Sequence, residues 1–249
     1  MTATQTPSAS GGARLGQAAA RPPSASRNAR ERARAELTRE IKQEARRQLA
    51  AHGANGLSLR AVARALGMVS SALYRYFPSR DELLTALIID AYDALGHAAE
   101  DAEASAPADA RDRWRAVCHA VRDWARANPH EYALIYGSPV PGYRAPQETV
   151  GPAIRVPHVI GRVLADVPDT GSGPGRRLPP VLARQTATVA EAIAPGAAGP
   201  VVARGLIAWT QLFGMISFEL FGQLVGSADP ADAFFGYAVE QMADFIGLG

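Results

Sequence analysis

Residues 67–84 read GMVSSALYRYFPSRDELL. A glycine opens the stretch and a proline, Pro78, breaks it. Between and just after them stand two tyrosines, a phenylalanine, two arginines and three serines, in a chain in which aromatic residues make up 7%. The preceding segment, 58–66, reads as a short helix. Ser58 suits its N-cap, Val62, Ala63 and Leu66 give it an inward face, and Gly67 stops it. Met68 and Val69 alone separate it from a second short helix over 70–77, for which Ser70 is the expected cap. Ser79 and Glu82 then form a capping-box pattern. They begin a longer helix with Leu84, Leu87, Ile88, Ala91 and Leu95 on one face.

Two short helices joined by a tight glycine turn have the outline of a helix-turn-helix. The second helix of such a unit lies in the DNA major groove. Small residues at its leading end, here Ser70, Ser71 and Ala72, let the backbone approach the bases. Tyrosine and serine hydroxyls and arginine can donate to phosphate oxygens, contacts that set register without reading sequence. Tyr74, Tyr76 and Arg80 are thus expected to form a phosphate-gripping rim. Leu73 and Phe77 point the other way, into the scaffold. The bland alternative is that Tyr74 and Tyr76 are half-buried core aromatics.

Charge agrees with this placement. The formal net charge is +2, but residues 1–80 carry a net of +10 and the remainder a net of −8. A basic first part suits a polyanion partner, whereas a solvated basic helix would explain the charge alone. Residues 1–28 contain no acid and few large apolar side chains, and are expected to form a disordered basic tail. From 29 to 52 the pattern turns helical, with Leu37, Ile41, Ala45 and Leu49 on one face. Arg30, Arg32 and Arg34 read either as a solvated helix start or as an arm for the minor groove.

Beyond residue 80 every periodic segment reads as helix: 109–127, 129–136, 148–167 with Pro152 and Pro157 interrupting, 180–194, 200–224 and 230–246. Residues 137–146 and the Gly/Pro-rich 168–179 read as loops. No alternating strand pattern is visible, so the fold class is all-α. The single cysteine, Cys118, excludes an intrachain disulfide framework and suits a cytoplasmic location. The longest uncharged apolar run, between Arg204 and Glu219, falls short of the roughly 20 residues that span a bilayer, and the chain reads as soluble with no membrane partner.

The motif set resembles the TetR/AcrR family of bacterial transcription regulators over about residues 30–88. The matching residues are Leu57, Ser58, Val62 and Ala63, then Gly67, Met68, Leu73, Tyr74 and Phe77, then Ser79, Arg80 and Leu83. Carried over by position, the resemblance implies DNA contacts from Ser58 and Arg60 on the first short helix. It implies others from Ser70, Ser71, Ala72, Tyr74 and Tyr76 on the recognition helix, and from Arg80. It further implies three regions: a tail over 1–28, a helix-turn-helix domain over 29–80, and a helical ligand-binding and dimerisation domain over 81–249. Val69 stands where a polar starter is frequent in the family, and Ala72 where threonine is. In the C-terminal part, Trp209 and Gly214 resemble a subgroup marked by a Trp–His–Gly signature, with Phe213 at the histidine position.

A homodimer on a palindromic operator follows from the resemblance, as does a small, mostly apolar effector. Trp114, Trp124, Tyr132, Trp209 and Phe213 are its candidate pocket lining, although Trp114, Trp124, Trp209 and Phe213 each read more readily as core. The apolar helices over 200–224 and 230–246 are the expected dimer surface. Their phenylalanines Phe213, Phe218, Phe221, Phe234, Phe235 and Phe245 exceed what two terminal helices need. Cys118 and His119 are adjacent and point about 100° apart on a helix, which argues against a catalytic pair. No phosphate-binding loop or paired metal-ligand spacing is present, so no enzyme activity, cofactor or metal is expected. Three alternatives stay open: a ligand-independent DNA-binding regulator, an activator, and an all-α carrier or enzyme whose basic helices merely look like a helix-turn-helix.

Overall fold

The computed structural model describes residues 1–2, 25–168 and 177–249. Most of the tail expected over 1–28, and the middle of the loop expected over 168–179, lie outside the described residues. Every regular element among the described residues is helical. They are α1 (Ala25–His52), α2 (Leu59–Ala65), α3 (Ser70–Leu73), α4 (Arg80–Ser105), α5 (Ala110–Ala127) and α6 (Pro129–Tyr136). After these come α7 (Val150–Ala153), α8 (Arg155–Ala165), α9 (Pro180–Ile193), α10 (Gly199–Leu220) and α11 (Asp232–Ile246). Short 3-10 turns stand at Ala54–Gly56 and Gln147–Thr149. The chain separates into two compact units, Met1–Thr38 and Arg39–Gly249, with the boundary inside α1.

Proline placement explains where the chain departs from the simple periodic reading. The segment over 148–167 is two helices, not one. Pro157 lacks an N–H and its ring would strike the carbonyl of Ala153, so α7 ends there. In the first turn of α8 the missing donor is one that no intrahelical carbonyl would have accepted. At the other end, α10 stops at Leu220 rather than 224, and Gly222 follows in the left-handed region (φ +77°). Leu37, expected on the buried face of α1, is half-buried, while Ile41, Ala45 and Leu49 are fully enclosed.

α5 is the central beam of the core. Trp114, Val117, Cys118, Val121 and Ala125 recur at three- and four-residue spacing, and all are inaccessible. Trp124 lies half-buried at the edge of the same cluster. α4 packs on α5 and α8, and α10 packs on α9 and α11. α8 comes so near the end of α9 that a Cβ on Gly161 would fall 1.8 Å from the Ile193 carbonyl oxygen. By length and composition α10 could cross a membrane, contrary to the expectation from its uncharged run. Half of its most apolar window is buried inside the fold, as in a core helix.

Among the described residues two charged side chains are buried, Glu103 on α4 and Arg122 on α5. Arg122 on α5 is 3% exposed. Its Nε and Nη2 each donate to Glu219 on α10 at 2.7 Å, and its Nη1 donates to Asp232 on α11 at 3.0 Å. Its guanidinium carbon lies 4.7 Å from the Phe235 ring centre. The Glu219 hydrogen bonds raise the Arg122 pKa against the opposing effect of burial. This fork pins α5, α10 and α11 in one geometry. Removing Glu219 takes away two of the three charged hydrogen bonds of this buried guanidinium and leaves Asp232 as its remaining partner. Glu219→Ala is therefore expected to destabilise the fold by about 3–5 kcal/mol, read as a lower urea midpoint, whereas Arg126→Ala, at the exposed rim of the same network, should change it little.

Candidate nucleic-acid interface and its link to the core

The turn between α2 and α3 is built by Gly67. The Gly67 N–H donates to the Arg64 carbonyl at 3.2 Å and the Met68 N–H to the Ala63 carbonyl at 2.8 Å, the paired bonds of a Schellman stop. That geometry needs a positive φ at Gly67, which is +66°. Ser58 caps α2 as expected, its Oγ accepting the Ala61 N–H at 3.4 Å. Its own N–H donates to the Gln48 side chain of α1 at 3.2 Å. Ser79 likewise caps α4, accepting the Glu82 N–H at 3.1 Å.

Two expectations are corrected here. The cap of α3 is Val69, which makes no side-chain cap bond, and Ser70 is the first helical residue. α3 itself is a single turn, and 74–76 continue as a tight turn rather than as helix. The Tyr76 and Phe77 N–H groups both donate to the Leu73 carbonyl, at 2.8 and 3.1 Å. Leu73 and Phe77 face inward, at 0% and 7% exposure.

The outward face carries Ser71, Tyr74 and Arg75 exposed, with Ser70 and Ala72 half-exposed. Tyr76 is half-buried and lines an open groove with Thr85 and Tyr143, whose hydroxyls lie 2.8 Å apart. Tyr74 and Tyr76 are thus separated in role by the turn. Arg60 is exposed. So are Arg64, one turn further along α2, and Arg75, neither of which the motif reading singled out. None of these three arginines is ion-paired among the described residues. The i, i+4 spacing of Arg60 and Arg64 was the signal available in the sequence.

Arg80 is placed differently from the expected phosphate rim. Its Nε donates to the Leu57 carbonyl at 3.2 Å and its Nη2 to the Ala54 carbonyl at 2.8 Å. The fork holds the α1–α2 connection against the start of α4. Arg30, Arg32 and Arg34 lie inside α1, not on an extended arm, and Arg32 Nε donates to the Asn28 carbonyl at 3.3 Å.

A second constellation joins this head to the C-terminal helices. Arg46 on α1 donates through Nε to Glu131 on α6 at 2.7 Å and through Nη2 to Asp90 on α4 at 2.8 Å. Lys42 donates to the other oxygen of Asp90 at 2.8 Å. Within about a turn and a half along those same helices stand Tyr92 on α4 and Tyr132 and Tyr136 on α6. They meet Phe213 of α10 in an aromatic nest. Tyr136 lies 4.3 Å from Phe213 and 5.3 Å from Tyr132, and Tyr92 meets Tyr136 edge-on at 6.1 Å, all between ring centres. Trp209 packs edge-on against Phe213 at 5.9 Å. The Tyr132 hydroxyl donates to the Phe213 carbonyl at 2.9 Å, and that of Tyr92 to the Ile135 carbonyl at 3.3 Å. Burial pushes all three phenols above their usual pKa, so the nest is uncharged. The Trp209 Nε1–H is buried without an acceptor.

Of the five candidate lining residues, the fold thus assembles Tyr132, Trp209 and Phe213. Trp114 spends its indole N–H on the Val239 carbonyl at 3.1 Å and belongs to the α5–α11 packing. Trp124 is ten residues away from it, about 15 Å along α5. Tyr92 and Tyr136 were missed, because neither α4 nor the end of α6 reads as cavity wall from periodicity. Cys118 is buried, and desolvation raises its thiol pKa well above normal. His119 stacks edge-on with Phe235 at 5.4 Å.

Residues 41–87 match the family described as bacterial regulatory proteins, tetR family, and residues 114–242 match the tetracyclin repressor-like C-terminal domain. The chain belongs to the TetR family. It is 44% identical over 197 residues to the HTH-type transcriptional regulator Rv1816 of Mycobacterium tuberculosis, covering 77% of this chain and 83% of that one. The regulator Mb1846 of Mycobacterium bovis matches with the same identity and coverage. The crystal structure of the regulatory protein SCO4313 is 36% identical, with a TM-score of 0.73 over 85% of this chain and 97% of that one. These matches make the protein a DNA-binding transcriptional regulator of TetR architecture. They do not extend to the Trp–His–Gly subgroup.

The Arg80 fork can be tested by its geometry. Lysine keeps the charge but has one donor nitrogen in place of the rigid fork that spans the two carbonyls. Arg80→Lys is expected to lower stability by on the order of 1–3 kcal/mol and to weaken DNA binding on all sequences alike. Wild-type melting and wild-type affinity in this variant would return Arg80 to a simple phosphate contact.

Proposed function

We propose that the protein is a homodimeric repressor that a small, uncharged, mostly apolar effector releases from a palindromic operator in the cytoplasm. The observation that carries this reading is the double bridge at Arg46. Both helices that hold Arg46, α4 and α6, also contribute rings to the aromatic nest. An effector that parts those rings shifts Asp90 and Glu131, and with them the α1 end of the head. The free Trp209 N–H supports an effector with a hydrogen-bond acceptor, since a buried donor left unpaired costs about 1–3 kcal/mol. On the DNA side, Tyr74, Ser58, Ser70, Ser71 and the exposed Arg60, Arg64 and Arg75 supply phosphate and base-edge donors. Ala72 offers a methyl, and Tyr76 is partly exposed.

The homodimer rests on a second face. Ile207, Phe218 and Phe221 of the α10 end and Phe234 and Tyr237 of α11 are exposed by 42–65%. They follow helical spacing, with Gly214 and Gly236 open between them. Phe213 and Phe235, counted with this surface in the sequence, are instead buried in the chain's own core. Exposed apolar side chains repeated along two helices support an interface with a second copy of the chain. Phe218→Glu with Tyr237→Glu should give a folded monomer by light scattering, with operator affinity reduced at least tenfold. A dimer that persists would place the interface elsewhere.

Linkage supplies the test of the switch. If an effector prefers the released state, operator must weaken effector binding by the same factor as effector weakens operator binding. Uncharged aromatic compounds bearing a carbonyl or ether are screened by thermal shift, and a hit is titrated with and without operator. Glu131→Gln removes one arm of the bridge while keeping its shape. It is expected to leave both bound states measurable and to bring the coupling factor toward one. Equal effector affinity with and without operator in the wild type would rule out derepression.

A further inference from the structure

We propose that Val69 is a specificity-determining residue, whose side chain reads the 5-methyl group of a thymine in each half-site. The inference rests on the reading that α3 enters the major groove.

Val69 is 71% exposed, among the most exposed large apolar side chains of the described residues. It occupies the cap of a one-turn helix, where Ser, Thr, Asp or Asn would accept a backbone N–H and valine cannot. The position therefore gives up a cap bond and leaves a branched hydrocarbon in water. Neither choice helps the folded head by itself. Ala72 lies three residues on, so the two side chains share one face of the turn. Ser70 and Ser71 stand between them in sequence and offer hydroxyls to the flanks of that face.

In the major groove a thymine is distinguished from a cytosine at the same place by O4 and by its 5-methyl group, which apolar side chains read by contact. Val69 and Ala72 together present such a surface at the tip. The contact uses the side-chain methyls, not the N–H groups of the helix. Exposure in the free protein becomes burial in the complex, so the hydrocarbon contributes to binding where it does not contribute to folding.

The test removes one methyl at a time from the DNA. The full-length protein first selects its preferred duplex from a random-sequence library. Each thymine of that duplex is then replaced by deoxyuridine, and affinity is measured for the wild type and for Val69→Ser and Val69→Thr. One thymine per half-site is expected to lose about fourfold on losing its methyl with the wild type. Val69→Ser should be indifferent to that methyl, and Val69→Thr, which keeps one methyl, intermediate. Both variants restore a cap hydroxyl and should melt at or above the wild-type temperature.

A thymine-to-deoxyuridine profile identical in wild type and Val69→Ser would overturn the assignment while leaving DNA binding intact. A Val69→Ser variant that melts markedly lower would show Val69 to be a packing residue, and would overturn it too. If the wild type selects no sequence at all, the DNA reading on which the inference rests fails first, and the selection step itself reveals that.

Discussion

A helix of one turn cannot hold itself together. Nucleating it fixes several backbone dihedrals for a single hydrogen bond, so α3 exists because its surroundings fix it. Its entry is set by the left-handed Gly67 and the two Schellman bonds. Its inner face is anchored by Leu73, and its exit by Phe77, whose N–H returns to the Leu73 carbonyl. Behind it, Arg80 ties the α1–α2 connection to the first turn of α4. Each tie frees the outward residues from a structural task. Tyr74, Ser71 and Val69 can face solvent because none of them keeps the turn folded.

That division of labour suits the proposed switch, in which the head would shift as one body. Rigid at its own scale, it meets the rest of the protein through few polar contacts, notably at Arg46. Partly exposed ion pairs like Arg46–Asp90 and Arg46–Glu131 contribute little stability, about 0–1 kcal/mol each. A coupling free energy of 1–3 kcal/mol is enough to change affinity five- to 150-fold. Contacts of that size suit a joint better than a weld. The welds are elsewhere: the buried Arg122 fork and the close passage of α8 at Gly161.

The sequence was most legible where local rules act alone. The caps at Ser58 and Ser79, the stop at Gly67 and the inward Leu73 and Phe77 follow from residue types at fixed offsets, and the structure has them. The all-α class follows from periodicity in the same way. Legibility failed where a residue's role depends on distant partners. Arg80 looks like a phosphate grip in its motif, but its guanidinium finds carbonyls 23 and 26 residues earlier. Trp114 and Trp209 look alike along the chain, yet one N–H is satisfied by α11 and the other is not. Tyr92 and Tyr136 were not singled out as lining, since a half-buried tyrosine at a helix edge is ordinary until three helices bring rings together. Val69 failed as a cap by a local rule, and its exposure in the fold gave that failure a use.

In the proposed switch, the nest and the bridge together would set the direction of the signal. α6 has eight residues, and it carries Glu131 and Tyr132 as neighbours and Tyr136 one turn later. Adjacent positions on a helix point about 100° apart. Glu131 therefore faces α1 while Tyr132 faces α10, with its hydroxyl on the Phe213 carbonyl. A rotation of so short a helix cannot move one contact without moving the other. Asn128 and Pro129 fix its start: the Asn128 amide donates to the Trp124 carbonyl at 2.9 Å, and the proline suits the first helical position. Its far end runs into the loop whose Tyr143 bonds Thr85 on α4. Under that proposal, a force applied at the rings would be resisted at the α5 corner and passed toward α1 and α4.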